Sequence, residues 1–356
     1  MNHSAEESGL RAMRAALTAA LHGVRGANPL VGAVLTNESG DILHVGWHRG
    51  SGTPHAEVDV LEQARRAGTD LNHTHLYVTL EPCNHYGRTG PCSKAIADAG
   101  IPKVTYAETD GTGAAGGAEF LASQGIDMRA GLLREEAHDI NARWWASQRE
   151  TRPFVTAKVA ASLDGRVSAL DGTSQWITGP EARAHGHTLR SRADAILVGT
   201  GTALSDNPQL SARDTGGHPL GRQPLRAVMG IRTIPAGAHL NQGPGHLRLD
   251  TRDPREALRR LAQQGIGHVL IEGGPSIISA FLTEDLVDEM YWYTAPTLLS
   301  EGRSATHGLS VPTLAKAYRL AIDPASGEAD GTREGIGRLG NDTLTHLAPQ
   351  RPHERK

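Results

Sequence analysis

The sequence predicts an α/β protein built from two domains, and three observations carry that reading. At 356 residues the chain exceeds what one ordinary core serves and suits two domains of about 150 to 200 residues. Strand-like and helix-like stretches alternate along it, the order that yields a sheet covered by helices on both faces. Pro153 interrupts a helical stretch and a fresh strand follows it. The boundary therefore falls at Glu150-Thr151-Arg152-Pro153, giving domains at 1–150 and 151–350 and a polar tail at 351–356.

Leu10, Met13, Leu17 and Leu21 recur at helical spacing and predict an amphipathic helix ending near Gly23. The strand-like runs Val31 to Thr36 and Ile42 to Trp47 flank Asn37-Glu38-Ser39-Gly40-Asp41, whose turn-forming residues suit a hairpin. His55 to Ala67 reads as a helix stopped by Gly68, followed by a strand at His75 to Leu80, a helix at Cys92 to Ala99 and a strand at Lys103 to Ala107. Ala118 to Ser123, Ile126 to Ala130 and a single helical segment at Leu132 to Trp145 continue the alternation. In the second domain, strands are expected at Phe154 to Ala161, Ala195 to Val198, Leu225 to Met229, His268 to Glu272 and Met290 to Tyr293. Helices are expected near Glu181 to Arg192, Pro254 to Gln264 and Ser276 to Leu282, and no internal repeat is present.

A formal net charge of −3 offers no global field for nucleic acid or an anionic membrane, although local arginines can hold a single phosphate. No stretch approaches the ~20 apolar residues of a bilayer span, and the N-terminus lacks a basic start followed by an apolar run, so a cytoplasmic location is expected. In that setting the only two cysteines, Cys83 and Cys92, suit a shared metal better than a disulfide.

His55-Ala56-Glu57, then Pro82-Cys83, then Cys92 supply one imidazole and two thiolates, a donor set suited to zinc. Three protein ligands leave a fourth position for water, whose pKa zinc lowers from ~16 toward ~7. Glu57 is read as the proton shuttle, taking a proton from water and delivering it to a departing amine. Both cysteines lie beside expected helix starts, where exposed N–H groups favour thiolate. His-x-Glu with Pro-Cys-x-x-Cys is the pattern of zinc deaminases, yet eight residues, Asn84 to Pro91, separate the cysteines here where that pattern has two. The alternatives are a closed structural zinc site with His48, His73 or His85 as fourth ligand, or a buried histidine beside two unrelated cysteines; Glu57 alone reads equally as a first-turn helix acid.

The second half carries weaker signals. Lys158 to Gly165 reads as a strand entering a tight turn. Val269-Leu270-Ile271-Glu272-Gly273-Gly274-Pro275 reads as a strand, a glycine turn and a helix start able to meet a phosphate. Either one alone reads first as an ordinary strand-to-helix connection, neither matches Gly-x-Gly-x-x-Gly, and Ala195 to Thr202 reads equally as a buried strand and turn. Arg190, Arg192 and Arg213 are candidates for holding a phosphate, against the usual solvated role of arginine.

In its first half, Asn28-Pro29-Leu30-Val31-Gly32-Ala33-Val34, Gly46-Trp47-His48, His55-Ala56-Glu57-Val58 and the run Tyr77 to Cys92, lengthened gap included, resemble the bifunctional riboflavin-biosynthesis deaminase/reductase family. The second half resembles the same family through Ser162-Leu163-Asp164-Gly165, Ser174-Gln175-Trp176-Ile177-Thr178, Leu189-Arg190-Ser191-Arg192, Val198 to Thr202, Asp206-Asn207-Pro208, Glu272-Gly273-Gly274-Pro275 and Ala295 to Leu299. The resemblance implies an N-terminal cytidine-deaminase-like α/β/α domain and a C-terminal dihydrofolate-reductase-like α/β domain. It implies zinc on His55, Cys83 and Cys92, with Glu57 catalytic, and Asn28 and the Asn84 to Thr89 loop facing substrate. It places Ala160, Trp176, Thr202, Asp206 and Gly274 along NADPH, and Ser174, Arg190, Leu210, Arg213 and Glu272 against a phosphorylated substrate, with Lys158 in either role. A homo-oligomer formed through the reductase half is also implied.

The implied activity is hydrolytic deamination of 2,5-diamino-6-(5-phosphoribosylamino)pyrimidin-4(3H)-one, then reduction of the ribosyl group of 5-amino-6-(5-phosphoribosylamino)uracil to ribityl. Two stretches depart from the family: Asp110-Gly111-Thr112-Gly113 stands where Asp-Pro-Asn-Pro is usual, and Met229-Gly230-Ile231-Arg232 opens a shortened segment where an acidic residue is frequent. The rival readings are a nucleic-acid base deaminase, opposed by the eight-residue gap, the lack of basic excess and the attached second half, and a second half kept only for binding or dimerisation.

Overall fold

The computed structural model describes residues 3–86, 90–324, 332–333 and 335–350, and all structural statements below concern these residues. Backbone contacts divide the chain into two compact units with the break between Trp145 and Ala146.

The first unit runs α1 (His3–Ala20), β1 (Gly32–Asn37), β2 (Ile42–Trp47), α2 (Ala56–Ala67), β3 (Thr74–Leu80), α3 (Cys92–Asp98), β4 (Lys103–Glu108), α4 (Gly117–Ser123), β5 (Asp127–Ala130) and α5 (Arg134–Ile140); α6 (Ala142–Arg149) crosses the break. Its strands lie in the order β2-β1-β3-β4-β5, antiparallel at β2-β1-β3 and parallel from β3 to β5. Side chains alternate across β1, and the two faces bury different cores. Ala33 and Leu35 pack with Val60, Ile96 and Leu121 of α2, α3 and α4. Val34 packs on the opposite side with Met13 and Ala16 of α1 and Ala137 of α5.

The single helix expected at Leu132 to Trp145 is two, broken at Asn141. Asn141 is buried, and its side chain is spent on the Leu30 backbone: Oδ1 accepts from Leu30 N at 2.8 Å and Nδ2 donates to Leu30 O at 2.8 Å. A side chain that satisfies distant backbone groups competes with helix continuation, as Asn does readily.

The second unit contains β6 (Phe154–Ser162), α7 (Pro180–Arg192), β7 (Ala195–Gly199), α8 (Thr200–Asp206), β8 (Leu225–Met229), β9 (Leu247–Leu249), α9 (Pro254–Gln263), β10 (His268–Glu272), α10 (Pro275–Thr283), β11 (Glu289–Ala295), β12 (Leu320–Ile322), β13 (Thr332–Arg333), β14 (Ile336–Leu339) and β15 (Asp342–Pro349). One sheet joins its strands in the order β13-β14-β15-β11-β6-β10-β7-β8-β9, with β12 beside β15. The stretch from β11 to β9 is parallel, so its strands end on one side of the sheet. Val155, Leu197, Val269 and Ile271 build one buried face with Phe281 of α10, and Ile196, Val198 and Leu270 build the other with Leu189 of α7.

Sequence periodicity misses α8 and the C-terminal strands. Inward positions of β15 include Asp342 and His346, both buried, with His346 Nε2 3.1 Å from Glu289. Polar residues on the buried face erase the apolar alternation that marks a half-buried strand. The expected tail at 351–356 lies outside the described residues.

Candidate active sites

In the first unit, three backbone segments converge at the start of α2. His55 is the N-cap of that helix, Glu57 lies buried in its first turn, Cys83 follows β3, and Cys92 is the first residue of α3. His55 Nδ1 lies 3.6 Å from Cys83 Sγ and 3.3 Å from Cys92 Sγ, and the three donor atoms all fall within 4.8 Å of one another. Both cysteines are buried and free. Cys83 is not beside a helix start in sequence, contrary to expectation, because a loop follows β3. Tertiary structure supplies what the sequence does not: the Cys92 N–H at the head of α3 donates to Cys83 Sγ at 3.4 Å. Hydrogen bonding from the Cys92 thiol, helped by His55 and that N–H, holds the Cys83 thiol down at about 4. Burial pushes the Glu57 carboxyl up to about 7 against the pull of nearby His55.

His48 settles the orientation of Asn28. Burial lowers its pKa to about 4, so the ring is neutral. Its Nδ1 lies 3.0 Å from the Pro54 carbonyl and must donate there, which leaves Nε2 to accept from Asn28 Nδ2 at 2.9 Å. The departing segment at Asp110 is a closed turn: Asp110 Oδ1 accepts from the Thr112 N–H at 2.8 Å and its hydroxyl at 2.6 Å. Glu81 ties the turn to the end of β3 by accepting from the backbone N–H groups of Asp110, Gly116 and Ala118 at 3.2, 3.1 and 3.1 Å. Gly117 is required there, since a Cβ would stand 1.7 Å from the Pro82 carbonyl oxygen.

In the second unit, the ends of β6, β10, β7, β8 and β9 open into one cleft of about 1400 Å³. Arg190 of α7 grips Glu272 at the end of β10 through two bonds, Nε to Oε1 at 2.6 Å and Nη2 to Oε2 at 2.9 Å. Lys158 Nζ lies 3.9 Å from Glu272 Oε2 and 5.5 Å from the Tyr293 ring centre. Burial raises the Glu272 carboxyl, but Arg190 and then Lys158 outweigh it and bring the group to about 2, whereas burial lowers the Lys158 ammonium. The turn after β10 is tied to α8 by Gly274 N–H donating to Thr202 Oγ1 at 2.8 Å.

Residues 6–108 match the cytidine and deoxycytidylate deaminase zinc-binding region, and residues 153–332 match the RibD C-terminal domain. The riboflavin biosynthesis protein RibD of Mycobacterium tuberculosis is 42% identical over 298 residues, covering 83% of this chain and 86% of that protein. RibD of Corynebacterium ammoniagenes is 42% identical over 324 residues, covering 89% and 94%. The solved structure of Acinetobacter baumannii RibD superposes with a TM-score of 0.73 at 31% identity, covering 97% of this chain and all of that one.

The chain belongs to the RibD family.

As a RibD family member it carries both a zinc-binding deaminase half and a reductase half. The fold brings His55, Glu57, Cys83 and Cys92 together, and no second histidine joins them as a fourth ligand among the described residues. His48 is committed on both ring nitrogens, His73 pairs with Glu38 at 3.0 Å on the surface, and His85 is exposed. Asn84 N–H donates to the Ala114 carbonyl at 2.9 Å, while Gly87, Arg88 and Thr89 of the expected substrate loop lie outside the described residues.

Every reductase residue implied by the resemblance borders one cleft: Lys158 and Ala160 on β6, Ser174 and Trp176 on the following loop, Arg190 on α7, Thr202 and Asp206 on α8, Leu210 and Arg213 after it, and Glu272 and Gly274 at β10, whereas Arg192, the third arginine expected to hold a phosphate, ends α7 and does not line it. Leu210 contributes differently from the rest, because its side chain is buried among Leu189, Ile196 and Val228. Arg213 is bound to its own loop, at Ser211 Oγ (3.0 Å), the Gly217 carbonyl (3.1 Å) and Gln209. Sequence reasoning missed His187 and Arg183. His187 borders the cleft and donates from Nδ1 to the Ser211 carbonyl at 3.1 Å, the oxygen that also accepts from Arg190 Nη1. Its place three residues before Arg190, on the same helix face, was a readable signal. Arg183 stacks its guanidinium 4.8 Å above the exposed Trp176 ring.

Proposed function

We propose that the first unit hydrolyses an amine from 2,5-diamino-6-(5-phosphoribosylamino)pyrimidin-4(3H)-one, and that the second reduces the ribosyl group of 5-amino-6-(5-phosphoribosylamino)uracil with NADPH. A Thermotoga maritima structure described as a diaminohydroxyphosphoribosylaminopyrimidine deaminase/5-amino-6-(5-phosphoribosylamino)uracil reductase supports the substrate pair, matching with a TM-score of 0.71 at 28% identity over 97% of this chain. The observation that carries the deaminase reading is the convergence of one imidazole and two free thiols beside a buried carboxyl.

That donor set fits zinc, with His55, Cys83 and Cys92 as ligands. When bound, zinc supplies Lewis acidity and an open position that make water reactive near neutral pH. Glu57, held near neutrality by burial, takes a proton from water and returns it to the departing amine, so that water enters and ammonia leaves. Asn28, its Nδ2 committed to His48, keeps Oδ1 to accept from the pyrimidine.

The reductase cleft fits a dinucleotide together with a sugar phosphate, being larger than the ~300–1000 Å³ of an ordinary ligand pocket. NADPH supplies the hydride there. Ala160, Trp176, Thr202, Asp206 and Gly274 hold the cofactor, while Ser174, Arg190, Leu210, Arg213 and Glu272 hold the substrate. Lys158, beside Glu272, orients the polar groups of the sugar. The chain is inferred to work in the cytoplasm on small molecules, as a homo-oligomer joined through the reductase half. Exposed Leu320, Ile322 and Ile336 on the strands around β15 support that assembly, and no described helix is long and apolar enough to cross a membrane.

The test is Glu57→Ala. The variant is expected to retain zinc, lose ammonia release by about 10²- to 10⁴-fold, and still oxidise NADPH when given the deaminated substrate. Unchanged ammonia release would remove Glu57 from the chemistry.

A further inference from the structure

A second cluster of metal-type donors lies in the second unit, at the starts of the parallel strands and so at the opposite end of the sheet from the cleft. Glu289 is the first residue of β11, Asp323 follows β12, and His346 stands on β15. One donor atom from each falls within 4.8 Å of the other two, and all three residues are buried, at 3, 2 and 2% exposure.

Strand pairing assembles the group. Glu289 is the register partner of Thr156 near the start of β6. His346 is the partner of Tyr291, two residues beyond Glu289 and therefore on the same face of β11. β12 lies beside β15 with Ile322 opposite Leu347, and the Asp323 N–H donates to the His346 carbonyl at 3.0 Å. Glu289 and His346 are 57 residues apart, so no motif spacing announces them.

Neighbouring side chains fix how the donors point. Tyr291 stacks on the His346 ring with centroids 4.3 Å apart and planes 14° from parallel. Thr156 Oγ1 donates to Glu289 Oε1 at 2.7 Å; with its hydrogen spent there, the 2.8 Å contact to His268 Nε2 takes its hydrogen from the imidazole. This chain of bonds turns Glu289 Oε2 toward His346 Nε2, 3.1 Å away. Such outer partners are how proteins hold metal ligands in orientation. Nitrogen and oxygen ligands ~2.1 Å from one ion, at angles between a right angle and the tetrahedral one, stand ~3.0–3.4 Å apart. The separation here fits, as do the 3.3 and 3.6 Å from His55 to the two thiols of the first unit.

Charge points the same way. Other acids at this end of the sheet are matched to arginine, Asp288 to Arg152 at 2.6 and 2.9 Å and Asp194 to Arg222 at 2.7 Å. Glu289 and Asp323 share their buried space with an imidazole. Two carboxylates buried side by side repel, and a divalent cation balances both at once, whereas one imidazolium carries a single charge. We infer that Glu289, Asp323 and His346 bind a structural divalent cation, of the zinc or manganese class, that clamps β12 and β15 to the start of β11. β12 is only three residues long, so its ladder offers few bonds and a shared ion adds a cross-link. One imidazole with two carboxylates is a harder donor set than one imidazole with two thiolates, so this site accepts manganese where the first favours zinc.

The experiment uses the full chain, stripped of metal and titrated separately with zinc and with manganese. Bound metal is counted by mass spectrometry after gel filtration, and manganese also by electron paramagnetic resonance. The wild-type chain should retain two equivalents of zinc, and the Cys83→Ser/Cys92→Ser variant one equivalent of either metal. In that background Thr156→Val should weaken the remaining site by about 10- to 100-fold, the usual cost of losing an outer partner, and Glu289→Gln or His346→Gln should weaken it further. Zinc should raise the second unit's unfolding temperature in the double cysteine variant and leave it unmoved once Glu289→Gln is added. Reduction of deaminated substrate, unchanged in Glu289→Gln, reports that the unit is folded. A wild-type chain that saturates at one zinc overturns the site without recourse to any variant. So does a second equivalent held as tightly after Glu289→Gln and His346→Gln, which would place that ion elsewhere on the surface.

Discussion

The two candidate sites are built on different principles. The candidate deaminase site draws its imidazole, two thiols and carboxyl from residues 55–92, where short connections hold the start of α2, the end of β3 and the start of α3 together. The reductase cleft gathers residues from 158 to 305, at the ends of five parallel strands and the loops after them. A site written into a short stretch is recognisable from residue types and spacing. A site at the ends of parallel strands depends on strand order, because each strand contributes one or two side chains and long crossovers separate them.

If the two sites are separately constructed, damage to one should spare the other. Replacing His55 by Ala or Cys83 by Ser should remove zinc and lower ammonia release on the order of 10⁴-fold, with reduction of supplied deaminated substrate unchanged. Metal analysis with both assays checks this; a parallel fall in reduction would show that the halves are not independent. Conversely, Arg190→Ala leaves Glu272 buried without its bidentate partner and should cost about 3 kcal/mol of second-unit stability, abolish reduction and spare ammonia release. Calorimetric unfolding gives the first effect, and an unshifted transition would contradict the buried-pair description.

A smaller effect probes the connection after β8. Gly230→Ala should destabilise the second unit by about 1 to 3 kcal/mol, since the new Cβ meets Thr200 at a φ that L-residues rarely adopt. Urea unfolding with no change in midpoint would show that the close approach is dispensable.

Acid should separate the units more gently. Burial, helped by Lys103 and Arg129, lowers the His75 pKa from 6.5 to about 3. The unfolded chain therefore takes up this proton first, and first-unit stability falls as pH drops from about 6.5 toward 3. Glu272 is depressed from 4.5 to about 2, so its contribution is present above about 4.5 and is lost as pH falls toward 2. Urea midpoints measured against pH should flatten in the upper window for His75→Gln and in the lower one for Glu272→Gln. An unaltered profile in either variant excludes that group as the source.

Most elements of the first unit can be read from the sequence because its central strands are short apolar runs buried on both faces and Gly68 marks the end of α2. Periodicity failed at Asn141, whose side chain serves Leu30 more than one hundred residues away, and at β15, where Asp342 and His346 occupy inward positions. It could not show that Leu210 turns its side chain into the core, or that Cys83 meets the N–H at the head of α3. Each failure has one cause: the deciding partner lies outside the local element, nine residues on for Cys83 and 111 away for Asn141, and local propensity carries no information about it.

By itself the sequence pointed to the proposed deaminase chemistry, because a His-x-Glu pair and two cysteines separated by eight residues offer a zinc-type donor set and a carboxyl for proton transfer whatever surrounds them. It also marked the absence of an acid after Met229. Only the tertiary structure decided where the second-half residues stand: sheet order set Arg232 and Arg252 at one end of a cleft and the Arg190–Glu272 pair at the other. The physical reason is that residue identity sets charge and donor type, while the distance between two charges on different strands is set by pairing alone.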